Sequence, residues 1–167
     1  TAAPQPMLSV MNAVHLDDVI GRVAADHKLP LVAKNIRLDT NLIPCIVEGD
    51  DEKLRVVVDN LLSNAIKYSP SGGKITIALR EDNSLAVMDV YDSGPGIPRE
   101  ESRKIFDTFY QGSPPDEGHI KGSGLGLSIA REHVLAHHGI IVPLFDSLGA
   151  HLQVVLPQKQ IANANTA

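Results

Sequence analysis

The chain is poor in cysteine, in aromatic residues and in positive charge. Cys45 is its only cysteine, so no internal disulfide can form and a reducing compartment fits best. Tryptophan is absent, and three tyrosines and three phenylalanines are the whole aromatic complement. Fifteen basic residues stand against 20 acidic ones, for a net charge of −5. A nucleic-acid-binding face needs a basic footprint, so that class is not expected. No apolar run approaches the roughly 20 residues of a membrane helix, and no secretory signal opens the chain. It also starts without methionine, which suggests a piece cut from something longer.

What remains is ordinary for a globular protein. At 167 residues and 43% hydrophobic, the chain is expected to form one domain with an adequate core. Residues 1–13 read as a tail or the remnant of a linker, 14–157 as the domain, and 158–167 as a disordered trailing tail. Val14 to His27 reads as a helix, with Asp17 and Asp18 suiting its positive end. Ile36 to Thr40 and Pro44 to Glu48 are strand candidates. Gly49-Asp50-Asp51 then turns the chain, with an Asp placed to cap the next helix.

That next helix is the most informative segment. Leu54, Val57, Val58, Leu61, Leu62, Ala65 and Ile66 recur in steps of three and one, which makes one buried stripe. Asn60, Asn64 and Lys67 line up on another face, one turn apart. An amphipathic helix does not need such a row, and two carboxamides with an ammonium suit a metal ion and phosphate oxygens.

Pro70-Ser71-Gly72-Gly73 stops the helix. Lys74 to Arg80 and Leu85 to Asp92 read as a β-hairpin joined by Glu81 to Ser84. A short helix is expected from Arg99 to Phe106. Gln111 to Ser123 is too long for a simple connector and reads as a lid. Leu125 to His138 reads as a helix with Gly139 as its C-cap, and Ile140 to Phe145 with His151 to Leu156 give a last strand pair. The natural packing is α+β: two layers, about three helices on one face of a mixed, mostly antiparallel sheet.

Two glycine-bearing segments add chemistry. Gly122-Ser123-Gly124-Leu125-Gly126-Leu127 opens a helix, where free backbone N–H groups and the helix dipole favour phosphate. It is neither a Walker loop nor the dinucleotide fingerprint, and by itself it is equally a flexible loop. Asp92-x-Gly94-x-Gly96 follows a strand. A carboxylate there can accept from an exocyclic amine, although Asp and Gly also make plain turns.

In order, Asn-x-x-x-Asn, Asp-x-Gly-x-Gly, Phe106-x-x-Phe109 and Gly-x-Gly-x-Gly resemble the ATP-binding domain of bacterial sensor histidine kinases. That family lies within the group containing gyrase, the heat-shock chaperone ATPase and the mismatch-repair ATPase. The resemblance runs from about His15 to Pro157. It implies an α/β sandwich with ATP between the helix layer and a mobile lid. Asn64 would ligate Mg²⁺ with Asn60 near the metal or its waters, Lys67 would contact phosphates, and Tyr68 would pack near adenine. Asp92 would accept the adenine amine in a pocket shaped by Gly94, Gly96 and Ile97. Phe106 and Phe109 would anchor the lid, Tyr110 to Ser123. Lys121, Ser123, Leu125, Leu127 and the amides of Gly122, Gly124 and Gly126 would close on the nucleotide.

The resemblance also bears on the reaction. Members that hydrolyse ATP, and serine kinases of the anti-sigma type, look to carry a glutamate where this chain has Asn60. A carboxamide cannot act as a general base there. The expectation is a protein-histidine kinase domain that gives its γ-phosphoryl group to a histidine on a separate dimerisation domain, for relay to a response regulator. An anti-sigma-type serine kinase and a non-catalytic nucleotide-binding module are the alternatives. None of the seven histidines sits in a phosphoacceptor context, so that domain is expected to be missing. The piece would be monomeric and cytoplasmic, and its parent homodimeric and anchored in the inner membrane.

His133 and His137, four apart, have zinc-compatible spacing, but no further ligand is evident and a solvated helix face reads better. The chain departs from the family at Ile140-Ile141-Val142-Pro143, where a second glycine is common, and at Gly149-Ala150-His151. Pro143 belongs at a sheet edge or bulge.

Overall fold

The structure, a computed structural model, describes residues 11–107 and 126–159. Strand β1 (Asn12–His15) leads into helix α1 (Leu16–Asp26), followed by α2 (Lys28–Ala33), β2 (Arg37–Leu42) and β3 (Ile46–Gly49). Helix α3 (Asp51–Tyr68) precedes β4 (Lys74–Asp82) and β5 (Leu85–Asp92). After a 3-10 turn at Arg99–Glu101 come α4 (Gly126–Ala136), β6 (Ile140–Leu144) and β7 (His151–Pro157).

Five strands form one sheet in the order β2-β4-β5-β7-β6. Only β2 and β4 run parallel, and the other three pairings are antiparallel. The inward row is legible from the two-residue period of a strand. Ile75, Ile77 and Leu79 of β4, Ala86, Met88 and Val90 of β5, and Leu152, Val154 and Leu156 of β7 are all buried. Against them pack the seven apolar residues of the α3 stripe, with Val19, Ile20 and Val23 of α1 and Ala130 and Val134 of α4. Helices on one face of a mixed, mostly antiparallel sheet are thus the architecture expected.

Helix α3 is capped at both ends. The Asp50 side chain accepts from the amides of Glu52 and Lys53 at 3.1 and 3.3 Å, satisfying two of the free donors of the first turn. At the other end, the Lys34 ammonium donates to the carbonyls of Ile66 and Ser69 at 2.8 and 2.6 Å. A cation at a helix C-terminus also meets the negative end of its dipole.

Several expected boundaries move, each for a tertiary reason. The helix expected from Val14 starts at Leu16, because Asn12–His15 pairs with β3, Val14 opposite Val47. Asn12 and Ala13 are therefore part of a strand pair rather than a tail. Helix α2 has no amphipathic period: Leu31 is buried, whereas Leu29 and Val32 are exposed. The helix expected over Arg99 to Phe106 is only a 3-10 turn followed by hydrogen-bonded turns. Its only buried apolar residue is Ile105, too little to hold an amphipathic face.

At the end of α4, His138 takes the left-handed conformation, φ 61, where Gly139 was expected to act. The amides of Gly139 and His138 bond the carbonyls of Val134 and Leu135 at 2.9 and 3.0 Å, closing a Schellman motif with His138 at C′. Gly139 serves a different need. A β-carbon there would run into the Val155 carbonyl and the Leu156 side chain.

The β4–β5 hairpin turns on Asn83 and Ser84, both at positive φ, as a two-residue type I′ turn requires. Pro143 lies on β6, an edge strand, where its missing N–H costs no ladder bond. Gln158, expected in the trailing tail, is tied in: its amide donates to Ser84 and its carbonyl accepts from Glu48. The rest of that tail, residues 160–167, lies outside the described residues.

Candidate nucleotide site

Asn60, Asn64, Lys67 and Tyr68 lie on the second half of α3, and all four are half-buried. They flank the helix face that carries Leu61, Leu62, Ala65 and Ile66 into the core, so packing of the stripe fixes their direction. The Lys67 ammonium sits 5.2 Å from the centroid of the Tyr68 ring, within cation–π range. Burial pushes the Lys67 ammonium below its ordinary pKa, a cost that a bound anion would offset.

Asp92 continues the inward row of β5 beyond Met88 and Val90, opposite Ile75. Alternation therefore aims its carboxylate between the sheet and the helix layer. Oδ1 accepts the amides of Gly94 at 2.8 Å and Ala150 at 3.2 Å, while Oδ2 has no protein donor among the described residues. Burial raises the Asp92 pKa, and the two backbone donors oppose that rise.

The glycines of this loop have separate duties. A β-carbon on Gly94 would lie 2.7 Å from the Tyr68 carbonyl oxygen, so Gly94 lets the loop rest on the end of α3. Gly96 adopts φ +82, a conformation that glycine favours. Ile97 and Phe106 are half-buried against the core. Both therefore pack, whatever else they do.

The first residue of α4 closes the arrangement. A β-carbon on Gly126 would lie 3.8 Å from the Asn60 side chain. The helix start expected to hold phosphate thus stands over the asparagine row, with Leu127 half-buried beside it. Asn60, Asn64, Lys67, Tyr68, Asp92, Gly94 and Gly126 are brought together around one half of α3. Phe109, Tyr110, Lys121, Gly122, Ser123, Gly124 and Leu125 lie outside the described residues.

One neighbour of the site escaped the sequence reading. The β6–β7 loop packs on Asp92: Asp92 N–H donates to the Ala150 carbonyl at 3.0 Å, and a β-carbon on Gly149 would run into the Asp92 carbonyl. The signal available was Gly149, a close-approach glycine in a segment weighed only for its departures from the family at Ala150 and His151.

Neither reading of the two histidines survives the geometry. His137 is 1% exposed and His133 half-buried, so the solvated helix face expected for them is not there, and the metal reading fails as well. His137 Nε2 accepts the Asp50 amide at 3.0 Å, and Nδ1 contacts the His133 carbonyl at 2.8 Å, so both nitrogens are spent. Among the described residues, no group of three or more His, Cys, Asp or Glu could hold a metal. Asn60 and Asn64 offer neutral oxygens, which suit a hard ion carried in largely by phosphates and water, as Mg²⁺ is.

Comparison with known proteins bears on the family and the fold. Residues 49–160 match the family described as histidine kinase-, DNA gyrase B- and HSP90-like ATPase. The sensor histidine kinase WalK of Bacillus subtilis is 40% identical over 117 residues, covering 68% of this chain and 19% of that protein. The probable sensor kinase SilS of Salmonella typhimurium is 39% identical over 118 residues, covering 71% and 24%. This chain therefore spans about a quarter or less of the length of these relatives. Among solved structures, the mycobacterial sensor histidine kinase MprB superposes with a TM-score of 0.79 at 30% identity, over 91% of this chain and all of that one. The chain belongs to the histidine kinase-, gyrase- and HSP90-like ATPase family, as a catalytic ATP-binding domain of the sensor histidine kinase type.

Proposed function

We propose that the domain binds Mg²⁺-ATP and donates the γ-phosphoryl group to a histidine on a separate dimerisation domain, for relay to a response-regulator aspartate. The observation that carries the reading is Asp92. Its Oδ1 is held by two backbone amides while Oδ2 is left for the exocyclic amine of adenine, in a turn that rests on the Tyr68 end of α3.

Asn64 holds the metal with Asn60 beside it, Lys67 and the Gly122 to Leu127 segment take the phosphates, and Tyr68 and Ile97 bound the base. Lys121 and Phe109 belong to the lid in this reading. Mg²⁺, when bound, neutralises charge on the phosphate oxygens. Asn60 supplies no base for water, so the domain retains ATP until an acceptor arrives, with positioning and electrostatics as its contribution.

The partner is a response regulator. Histidine kinases pair with such proteins, and ThkA has been solved in complex with the response regulator TrrA. No helix among the described residues is long and apolar enough to cross a membrane. In this reading the domain is the cytoplasmic part of a homodimeric, membrane-anchored parent.

The test is thermal unfolding with ADP or a non-hydrolysable ATP analogue, with and without Mg²⁺. Ligand at a hundred times its Kd adds about 2.7 kcal/mol, worth roughly 5–10 °C in a domain of this size. A Mg²⁺-enhanced rise that weakens in Asn64→Ala is expected, and no shift with any nucleotide would overturn the reading. Phosphotransfer is then read with a dimerisation domain added in trans: acid-labile, base-stable phosphate marks histidine.

A further inference from the structure

The sheet face turned away from the helices carries a buried polar cluster that the nucleotide reading leaves unused. His151 is 2% exposed and Asp89 6%, both on the outward row where β5 and β7 pair. His151 Nε2 lies 2.6 Å from Asp89 Oδ1, and Nδ1 lies 2.7 Å from Asp146 Oδ1. Gln153 donates to the same Asp89 oxygen at 3.0 Å, and the Tyr91 ring stacks on the imidazole with centroids 4.0 Å apart.

An imidazole nine-tenths buried between two carboxylates is a fastening point. Burying such groups is tolerated only when their hydrogen bonds are satisfied, and these are satisfied in one arrangement of the chain. Asp89 belongs to the sheet. Asp146 belongs to the β6–β7 loop, whose side chain is otherwise exposed. His151 therefore staples the start of that loop to its end and both to the sheet.

The same loop carries Ala150, whose N–H fixes Asp92 Oδ1. It also places the Leu148 carbonyl 3.3 Å from where a β-carbon on Gly96 would be. Phe145, at its start, receives the Arg99 guanidinium 4.7 Å from its ring centroid. The loop thus braces the Asp92–Gly96 turn from behind.

We propose that His151 is a positioning residue for base recognition, holding the β6–β7 loop so that the Ala150 amide orients the Asp92 carboxylate. The proposal rests on the reading of Asp92 as the acceptor for adenine. Without the staple, Ala150 and Gly149 lose their fixed position, and Asp92 loses one of the two donors that select which oxygen faces the base.

The experiment measures the Kd of a non-hydrolysable ATP analogue and of Mg²⁺-tripolyphosphate. The proteins are the wild-type chain, His151→Leu, Asp146→Ala, Asp92→Ala and the His151→Leu/Asp92→Ala double variant. Asp146 is exposed, so Asp146→Ala keeps the test alive if His151→Leu does not fold. We expect His151→Leu and Asp146→Ala to weaken the nucleotide roughly ten-fold, the scale of one lost hydrogen bond, with tripolyphosphate unchanged. In the Asp92→Ala background the His151 substitution should have no further effect. Equal loss for both ligands, or full additivity with Asp92→Ala, would show a merely structural role and overturn the proposal. Unchanged nucleotide affinity in His151→Leu and Asp146→Ala, with a loss in Asp92→Ala, would overturn it and leave the Asp92 reading intact. An Asp92→Ala protein that binds nucleotide like wild type would remove that reading and this proposal with it.

Discussion

His137 Nε2 accepts the backbone N–H of Asp50 at 3.0 Å, joining the end of α4 to the residue that caps α3. The contact is possible because Gly49 has no side chain: a β-carbon there would lie 2.6 Å from the imidazole. Burial holds His137 and the nearby His133 below the ordinary histidine pKa of 6.5. The folded state therefore takes up fewer protons than the unfolded chain. Stability is full above about pH 6.5 and is lost as the pH falls from there through the depressed folded-state values. Urea melts between pH 5 and 8 should show this slope, reduced in His137→Gln. His137→Ala, which removes the Nε2 acceptor from the Asp50 amide, should cost about 1–3 kcal/mol at neutral pH.

Asp92 predicts the opposite sign for stability and a distinct sign for binding. Its folded-state pKa is raised above 3.8, so its contribution favours the fold at low pH and is lost as the pH rises from 3.8 through the raised value. An amine donor from the base needs the carboxylate. Nucleotide affinity should therefore fall on acidification through the folded-state pKa, with protons released on binding in that window. Calorimetry in two buffers of different ionisation enthalpy reads the release. Asp92→Ala should abolish it and weaken nucleotide binding by about 2 kcal/mol, roughly 30-fold.

Lys67 should behave as a phosphate ligand with a buried-amine signature. Its pKa is depressed by burial alone, and an anion beside it restores the charged form. Lys67→Met should weaken a triphosphate far more than adenosine, by about 1.5–3 kcal/mol. Equal losses for both ligands in a titration would mean that the side chain only packs.

Lys34 should matter through the end of α3. Lys34→Met removes the ammonium from the carbonyls of Ile66 and Ser69. It should cost about 1–2 kcal/mol in urea unfolding. Hydrogen exchange at the amides near Ala65 to Ser69 should accelerate, and Lys34→Arg should recover part of the loss.

Gly149→Ala and Gly139→Ala each place a methyl group against a backbone carbonyl, of Asp92 and of Val155 respectively. Backbone gives way less readily than a flexible side chain, so each should destabilise by about 1–3 kcal/mol or more. The two are separable by ligand binding. Gly149→Ala should also weaken nucleotide, whereas Gly139→Ala should not.

What periodicity encodes was readable from the residues alone. The α3 stripe, the polar row beside it and the β4–β5 hairpin depend on neighbours close in the chain, and each formed, although β4 runs on through Glu81 and Asp82 and leaves only Asn83 and Ser84 of the expected loop in the turn. The order of motifs was enough to imply the sandwich and the cluster around α3. The tertiary structure decided what depends on residues far apart in the chain. Pairing with β3 made a strand of Val14 and His15, expected in a helix, and of Asn12 and Ala13, expected in a tail. His138, not Gly139, took the left-handed turn because Gly139 was needed against β7. The Ala150 amide on Asp92 joins residues 58 positions apart, and the Asp89–His151 contact spans 62. No local pattern encodes such pairs, because a hydrogen bond between distant residues exists only once the sheet has brought its strands into register.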